Sequence, residues 1–299
     1  MVKKPNFIIV GAMKAATTSV YSYLKQHPDI FMTRVKEPMF FNNYKKSQDF
    51  LIIGSKSKNK IKTISEYYAL FDEAKSEKLL GEASPSYIYD KKTPSLIKKY
   101  LPNIKIIIIL RQPIDRAYSN FLHVLRSGRE VFSSFEDSIN NESKRIEDNW
   151  SPLYHYINKG YYSEQIERYF NEFPIGNIKI LLFEDIIQNT KECLIDIFRF
   201  LQVDDTFEVD FSRKLNASGV PRGVLGFVLK KMRYYRVMPK FALSDYLPNF
   251  IINFIFKSVY TKSPKLSSKH RKELTNKYYK EEIKKLQKLI NRDLSAWLR

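Results

Sequence analysis

Three short runs of nearly continuous apolar residues constrain the fold of this 299-residue chain most strongly. They extend from Phe7 to Val10, from Lys105 to Leu110 and from Ile178 to Phe183, and a shorter run lies near Lys78 to Leu80. Runs without alternation are typical of strands buried on both faces of a parallel sheet. Because segments with helical spacing separate these runs, the sequence predicts an α/β fold with a central parallel β-sheet flanked by helices.

The segments outside these runs predict helices and surface loops. Helical spacing follows each of the first two runs, and residues 267–299 predict one long amphipathic helix with a closing turn. The polar stretches 47–62 and 127–149 show little core pattern, and we expect them to cross the active face. We interpret residues 1–299 as a single domain on which a C-terminal helical segment of about 224–299 packs.

The chain carries a formal charge of +19, from 51 Lys and Arg residues against 32 Asp and Glu residues. Such an excess favours an anionic partner, and nucleic acid, an anionic membrane or a phosphorylated small molecule would each satisfy it. Part of the excess is ordinary solvated lysine, as at Lys284, Lys285 and Lys288. No helix-turn-helix, zinc-finger or RNA-binding signature occurs, so we expect no nucleic-acid partner.

The single cysteine, Cys193, bears on the compartment. It excludes an intrachain disulfide and a cysteine-based metal site, and it predicts a reducing, cytoplasmic location. The apolar run after Asn6 is too short for a signal peptide or a membrane span. Residues 246–260 are apolar but contain Pro248 and Lys257, so we expect a buried or interface helix there, with peripheral membrane contact as the alternative.

The residues from Gly11 to Ser19, GAMKAATTS, join the first predicted strand to the first predicted helix. Free backbone N–H groups and the helix dipole favour an anion at such a junction, where Lys14 adds charge and Thr17, Thr18 and Ser19 add hydroxyl groups. The loop departs from the Walker A pattern, because its second glycine is absent and Lys14 lies three residues before a threonine. The pattern indicates a phosphate-binding loop, and an ordinary capped helix with a surface lysine is the alternative.

A second candidate anion site lies at the end of the second predicted strand. Arg111 ends the strand in the segment IIIILRQPIDRAYSNF, and Ser119 follows eight residues later on the next helix. Arginine matches phosphate bidentately, and open α/β sheets bind ligands at the carboxyl ends of their strands. Arg116 is an alternative phosphate ligand, although we favour a salt bridge on the helix face for it.

These two motifs resemble those of sulfotransferases that use 3′-phosphoadenosine-5′-phosphosulfate (PAPS), especially the heparan sulfate sulfotransferases and their bacterial relatives. The segment from Gly11 to Ile30 resembles the family's 5′-phosphosulfate loop, and Arg111 with Ser119 resembles its 3′-phosphate motif. The resemblance implies a P-loop-like sulfotransferase fold, PAPS as co-substrate, 3′,5′-adenosine bisphosphate as product, and no metal. A late segment around Arg222 resembles the loop that closes over the nucleotide. The nucleotide contacts implied by the resemblance are Lys14, Ala15, Ala16, Thr17, Thr18, Ser19, Arg111, Ser119, Arg222 and Gly223.

The resemblance also supplies candidate catalytic residues. The segment KEPMFF, residues 36–41, resembles the family's K-E-x-x-F-F segment, whose glutamate is the usual candidate base. Glu37 is therefore our first choice, and the two phenylalanines that follow would raise its pKa by desolvation. Met39 stands where the family has histidine, which puts any role of that group in doubt here. His123 is the alternative base, with a structural histidine as the competing interpretation, and Lys14 is expected to stabilise the leaving group.

The sequence thus predicts a PAPS-dependent sulfotransferase acting on a hydroxyl-bearing acceptor, in particular a glycan or a lipid-linked sugar. The segment from Gly81 to Tyr87 resembles the family's E-x-S-P-x-Y turn near the acceptor cleft, and we interpret it as scaffold. The alternatives are a P-loop-type kinase, which would need magnesium, and a non-catalytic protein that binds PAPS, a membrane surface or nucleic acid.

Overall fold

The computed structural model describes residues 2–43, 61–212, 219–221, 260–262 and 265–299. The centre of this part is a five-stranded, all-parallel sheet with the order β2-β3-β1-β4-β5, and a separate antiparallel pair joins β6 to β7. The strands are β1 (Phe7–Gly11), β2 (Ile30–Met32), β3 (Leu79–Ala83), β4 (Lys105–Leu110), β5 (Ile178–Leu182), β6 (Gly219–Pro221) and β7 (Tyr260–Lys262). The predicted parallel sheet is confirmed.

Helices flank this sheet and connect its strands. The α-helices are α1 (Thr17–Leu24), α2 (Phe40–Asn43), α3 (Ile64–Ala69), α4 (Thr93–Tyr100), α5 (Pro113–Arg126), α6 (Phe135–Asn140), α7 (Glu142–Glu147), α8 (Tyr162–Glu172), α9 (Phe183–Gln188), α10 (Thr190–Leu201) and α11 (Ser268–Ile290). Short 3₁₀ turns occupy Pro152–Tyr154, Asn158–Gly160, Ile175–Asn177 and Ser295–Leu298. Within the described ranges, no helix is both long enough and apolar enough to cross a bilayer. Residues 246–259, which carry the membrane-contact alternative, lie outside those ranges.

The two central strands explain where the site forms. All five residues of β1 are buried, and β4 is buried from Ile106 onward, as continuous apolar runs require. The chain runs outward from β1 to β2 and β3 on one side, and to β4 and β5 on the other. The carboxyl ends of β1 and β4 therefore meet where the strand order reverses, which is the ligand-binding position of open α/β sheets. Ala12 N donates to Ile109 O at 2.6 Å and ties the two ends together.

The sequence did not reveal two features that lie between the predicted strands. Strand β2 was not predicted, because three residues are too few to show a period. The stretch 127–149 contains core residues after all, since α6 buries Phe135 and Ile139. Helices of six residues span under two turns, so their apolar spacing is hard to recognise.

The long C-terminal helix α11 is confirmed, and it braces the region that follows β4. Ser267 Oγ caps the helix by accepting from His270 N at 3.2 Å. Gln112, the residue that precedes α5, donates from Nε2 to Thr275 Oγ1 at 2.7 Å and to the Trp297 carbonyl at 3.2 Å. The C-terminal turn and α11 thereby fix the start of α5, directly beyond the predicted strand-end arginine.

Candidate active site

The loop between β1 and α1 has the geometry of an anion cradle. Lys14 and Ala16 adopt left-handed backbone conformations with φ of 71° and 62°, which non-glycine residues adopt mainly at constrained functional loops. Ala16 is the N-cap of α1 and makes no side-chain capping bond, and the first turn of α1 has no acidic residue. The free N–H groups and the positive end of the helix dipole therefore remain available to a ligand. A side chain at Gly11 would overlap Ile88, so the loop requires glycine there.

Arg111 extends from the end of β4 to this loop. Its Nη1 donates to the Lys14 carbonyl at 3.0 Å, and its guanidinium lies 4.3 Å from the centroid of the Phe183 ring. Tyr162 Oη donates to the Arg111 carbonyl at 3.0 Å and fixes the backbone. Burial lowers the pKa of Arg111, against the opposing charges of nearby carboxylates. The two motifs that the sequence assigned to separate anions are thus in direct contact.

The Lys14 ammonium is the centre of a cluster of cations. Burial, together with the charges of Arg126 and Arg111, lowers its pKa to about 8, and the charge of Glu37 opposes this shift. No hydrogen bond or ion pair from any described residue occupies this ammonium group. Cations held close together repel one another, and an anionic ligand would relieve that repulsion. The site fits a ligand that carries more than one anionic group.

His123 lies on α5, one turn after Ser119, and faces the same cluster. Burial lowers its pKa to about 4, with further contributions from Lys14, Arg126 and Arg129. The imidazole is therefore neutral at pH 7. The structure brings His123 into the electrostatic neighbourhood of Lys14, and its role as a base stays a prediction.

Glu37 lies on the exposed loop between β2 and α2. Its φ of 54° and the φ of 51° at Met39 are both left-handed, as in the Lys14 loop. Desolvation raises the pKa of the Glu37 carboxyl, while the charges of Lys36 and Lys14 oppose this shift. The coupling with Lys14 places Glu37 at the same cluster of cations. Among the described residues, none donates a hydrogen bond to this carboxylate.

A buried hydrogen-bond network holds the Glu37 loop in place. Ser84 Oγ accepts from Met39 N at 3.0 Å and donates to Glu82 Oε2 at 2.8 Å, and Tyr67 Oη donates to Glu82 Oε1 at 3.2 Å. Tyr87 Oη accepts from Phe41 N at 3.3 Å. Burial raises the pKa of Glu82 to about 7. The turn interpreted as scaffold in the sequence therefore sets the backbone position of the predicted base.

The remaining predicted nucleotide contacts divide into two groups. Ala15 and Thr17 are buried, whereas Ala16, Thr18, Ser19 and Ser119 are partly exposed at the cradle. Arg222 and Gly223 lie outside the described residues, so their roles stay predictions.

Arg116 and Arg126 differ from what the sequence suggested. The prediction that Arg116 forms a salt bridge on the helix face is wrong. Its side chain is fully buried, and its Nη2 donates to the Tyr156 carbonyl. Arg126 was not predicted, yet its charge acts on both Lys14 and His123. The signal was present in the sequence, since Ser119, His123 and Arg126 follow the four-and-three spacing of one helix face.

A cleft of about 680 Å³ lies next to the Glu37 segment. Phe41, the last residue of that segment, and the next residue, Asn42, line it, and Asn42 Nδ2 donates to Ser86 Oγ at 2.6 Å. Its other walls are aromatic and charged, with Tyr89, Tyr161, Lys92 and Lys99 among them, and Arg168 pairs there with Glu164 at 3.1 Å. Aromatic surfaces with convergent polar groups suit a polar organic ligand. Over the described ranges, no group of three His, Cys, Asp or Glu residues could hold a metal ion.

Comparisons with known proteins agree on one family. A family model described as Sulfotransferase domain matches residues 4–215. Membrane-associated sulfotransferase kil1 of Dictyostelium discoideum is 32% identical over 148 residues, covering 48% of this chain and 29% of that protein. Heparan sulfate glucosamine 3-O-sulfotransferase 3B1 of Mus musculus is 25% identical over 187 residues, covering 62% and 43%. The chain therefore spans less than half the length of these curated relatives.

Solved structures give the same answer for the fold. A sulfotransferase from Alicyclobacillus acidocaldarius superimposes with a TM-score of 0.75 and 30% identity, and the alignment covers all of both chains. Mouse sulfotransferase SULT7A1 complexed with PAP gives a TM-score of 0.51 at 14% identity, over 96% of this chain and 86% of that one, and supports the fold alone. The predicted P-loop-like sulfotransferase fold is confirmed.

Proposed function

The chain belongs to the sulfotransferase domain family, and on that premise we propose that it transfers the sulfuryl group of PAPS to a hydroxyl group of a carbohydrate. The observation that carries the proposal is the hydrogen bond from Arg111 Nη1 to the Lys14 carbonyl. It joins the two anion motifs into one site, which matches a nucleotide with phosphate groups at both its 5′ and 3′ ends.

In this proposal the nucleotide lies across the ends of β1 and β4. Lys14, the N–H groups at the start of α1 and the hydroxyls of Thr17 and Thr18 would hold the 5′-phosphosulfate. Arg111 and Ser119 would hold the 3′-phosphate, for which a guanidinium is well suited. The bound nucleotide supplies an activated sulfuryl group.

The protein's own contribution is placement and charge. Sulfuryl transfer has the logic of phosphoryl transfer, in which a loose, in-line transition state leaves little covalent chemistry to the enzyme. Negative charge develops on the leaving oxygen, and the Lys14 ammonium donates a hydrogen bond to it. Because Lys14 is partly desolvated, its charge acts there with less screening than in water.

Glu37 is the proposed general base that accepts the proton of the acceptor hydroxyl. Desolvation raises its pKa, which increases its basicity, whereas burial and neighbouring cations lower the pKa of His123 to about 4. The pKa of Glu37 is raised and the pKa of His123 is lowered, and this difference favours Glu37 as the base. His123 then contributes as a neutral hydrogen-bonding group at the same cluster.

The acceptor would bind in the 680 Å³ cleft beside the Glu37 segment. Tyr89 and Tyr161 offer aromatic faces to sugar rings, and Lys92, Lys99 and Arg168 offer charge to anionic substituents. The mouse relative is named for heparan sulfate glucosamine, and another relative is human carbohydrate sulfotransferase 15. A carbohydrate acceptor therefore has support from both the lining and the relatives. The cytoplasmic location stays a prediction.

A two-step experiment tests the proposal. Calorimetric titration would compare 3′,5′-adenosine bisphosphate with ADP and AMP, and labelled PAPS would then be offered with heparan-type and neutral glycans. We expect clear preference for the bisphosphate and labelling of a glycan. Equal affinity for all three nucleotides would reject the use of PAPS, while selective binding without transfer to any glycan would reject the carbohydrate acceptor.

A further inference from the structure

Arg116 is a buried cation whose hydrogen bonds are incomplete. Its side chain is fully buried on α5, and Nη2 donates to the Tyr156 carbonyl. The other two guanidinium nitrogens, Nε and Nη1, have no hydrogen-bond partner, and no described carboxylate lies within ion-pair distance. A buried charge left in this way is strongly unfavourable, so a counter-charge is expected next to it.

A second buried cation faces the same place. Lys159 is 8% exposed, and its Nζ has only the Met13 sulfur as a close polar partner among the described residues, at 3.8 Å. The ammonium also lies 5.6 Å from the centroid of the Tyr89 ring. Burial, together with the charge of Arg116, lowers the pKa of Lys159 to about 7. Among the described residues, neither Lys159 nor Arg116 forms an ion pair.

Both side chains line one small cavity, which we call the buried cationic cavity. Its walls include Ala12 and Met13 of the phosphate loop, together with Tyr89 and Gln165. Its volume is about 10 Å³, which is room for roughly one water-sized species. The same Tyr89 and Gln165 also line the acceptor cleft, so the cavity lies between that cleft and the phosphate loop.

The hydrogen-bonding groups around the cavity are mainly donors. Arg116 offers its two unpaired nitrogens, Nε and Nη1, and Lys159 offers its ammonium, whereas Gln165 Oε1 is the one buried side-chain acceptor on these walls that lacks a partner. A water molecule accepts two hydrogen bonds and donates two, which leaves one of these three donors without an acceptor. A monatomic anion accepts from all of them.

The charges near the cavity lead to the same conclusion. Glu142 is the carboxylate whose charge acts on both Arg116 and Lys159. Its two oxygens accept from Ile157 N at 2.6 Å and from Asn158 N at 2.7 Å, so it balances one positive charge from a distance. When Lys159 is protonated, one positive charge therefore remains uncompensated.

We propose that the buried cationic cavity binds a single small monovalent anion between Arg116 and Lys159, and chloride is the anion with which this is tested. Sulfate and phosphate are too large for the volume, and each would overcompensate the charge. The bound ion would support Ala12 and Met13 from behind and leave the ligand side of the loop free. This site is separate from Lys14 and Arg111, and it does not depend on the nature of the sulfuryl acceptor.

Thermal unfolding in two potassium salts tests the proposal. Chloride would be compared with gluconate, which is too large to enter, at equal ionic strength and pH. We expect Tm to rise by roughly 2–4 °C for each tenfold increase in chloride once the site is occupied. Bromide should reproduce the rise.

A matched pair of variants separates the site from general salt effects. Lys159→Met keeps the length of the side chain and removes its charge, and it should abolish the difference between chloride and gluconate. Lys144→Met, an exposed lysine on α7, should keep the whole difference. A chloride-dependent rise that persists in Lys159→Met contradicts the proposal.

Two measurements on the unchanged protein decide the matter if Lys159→Met does not fold. Equal Tm values in chloride and gluconate would overturn the proposal. Bromide-soaked crystals should show an anomalous peak within hydrogen-bond distance of Arg116 and Lys159, and the absence of that peak would overturn it as well.

Discussion

The nucleotide side and the acceptor side of the site are built in different ways. The Lys14 loop follows a central strand, and both it and Arg111 are fixed by neighbouring strands that are fully buried. The Glu37 loop follows the three-residue strand β2 and depends on side-chain hydrogen bonds to Ser84 and Tyr87. The sheet therefore determines where the nucleotide binds, whereas a polar network determines where the base lies. Substitutions on the nucleotide side and substitutions on the acceptor side should therefore impair different steps of the reaction.

Replacing the proposed base should give the largest effect on turnover alone. Glu37→Gln keeps the shape of the side chain but cannot accept the proton, so kcat should fall by about 10²–10⁴-fold. Affinity for 3′,5′-adenosine bisphosphate, measured by calorimetry, should stay within about twofold, because Glu37 belongs to the acceptor side. His123→Gln is the matched control, and a larger loss of kcat in that variant would transfer the role of base to His123.

Removing the central cation should impair the nucleotide side. Lys14→Ala loses the charge that stabilises the leaving oxygen, so kcat should fall by about 10²–10³-fold, which corresponds to about 3–4 kcal/mol. Single-turnover kinetics with circular dichroism would check this result in a folded protein. Lys25→Ala, an exposed lysine just after α1, should behave like the unchanged enzyme. Near-full turnover in Lys14→Ala would refute the assignment.

The pH dependence of kcat/KM should report on Glu37 and on Lys14 in one experiment. Glu37 loses its basic form as pH falls through its raised pKa, and Lys14 loses its charge as pH rises through about 8. A plot of kcat/KM against pH should therefore be bell-shaped, with a roughly tenfold fall per unit above the alkaline pKa. In Lys14→Arg the alkaline limb should disappear. A limb unchanged in that variant would mean that another group titrates there.

Loosening the polar network should have the smallest effect. Ser84→Ala removes the acceptor for Met39 N and one donor to Glu82, so the Glu37 loop shifts. We expect kcat to fall by about tenfold, with unchanged affinity for the nucleotide. The control is Ser95→Ala, an exposed serine on α4. Equal losses of kcat and of nucleotide affinity would show that Ser84 supports the whole fold rather than the base.

The same contrast explains what the sequence could predict. Strands β1, β4 and β5 could be predicted because their apolar runs are continuous. Lys14 and Arg111 could be predicted as site residues because each follows such a run. The hydrogen bonds that hold the Glu37 loop could not be predicted, because Met39 pairs with Ser84 and Phe41 with Tyr87, each more than forty positions away. The role of Arg116 was predicted wrongly for a related reason, since its position on α5 does not reveal that α11 and the turn Asn158–Gly160 pack against that helix.

The central claim is that Lys14 and Arg111 bind opposite ends of one nucleotide. Calorimetric titration of Lys14→Met and Arg111→Met with 3′,5′-adenosine bisphosphate and with 5′-AMP tests it most directly. Lys14→Met should weaken the binding of both ligands, whereas Arg111→Met should weaken only the bisphosphate, by about 10–100-fold. If Arg111→Met weakened both ligands equally, the strand-end arginine would not read the 3′-phosphate, and the account of a single site with two anion positions would be contradicted.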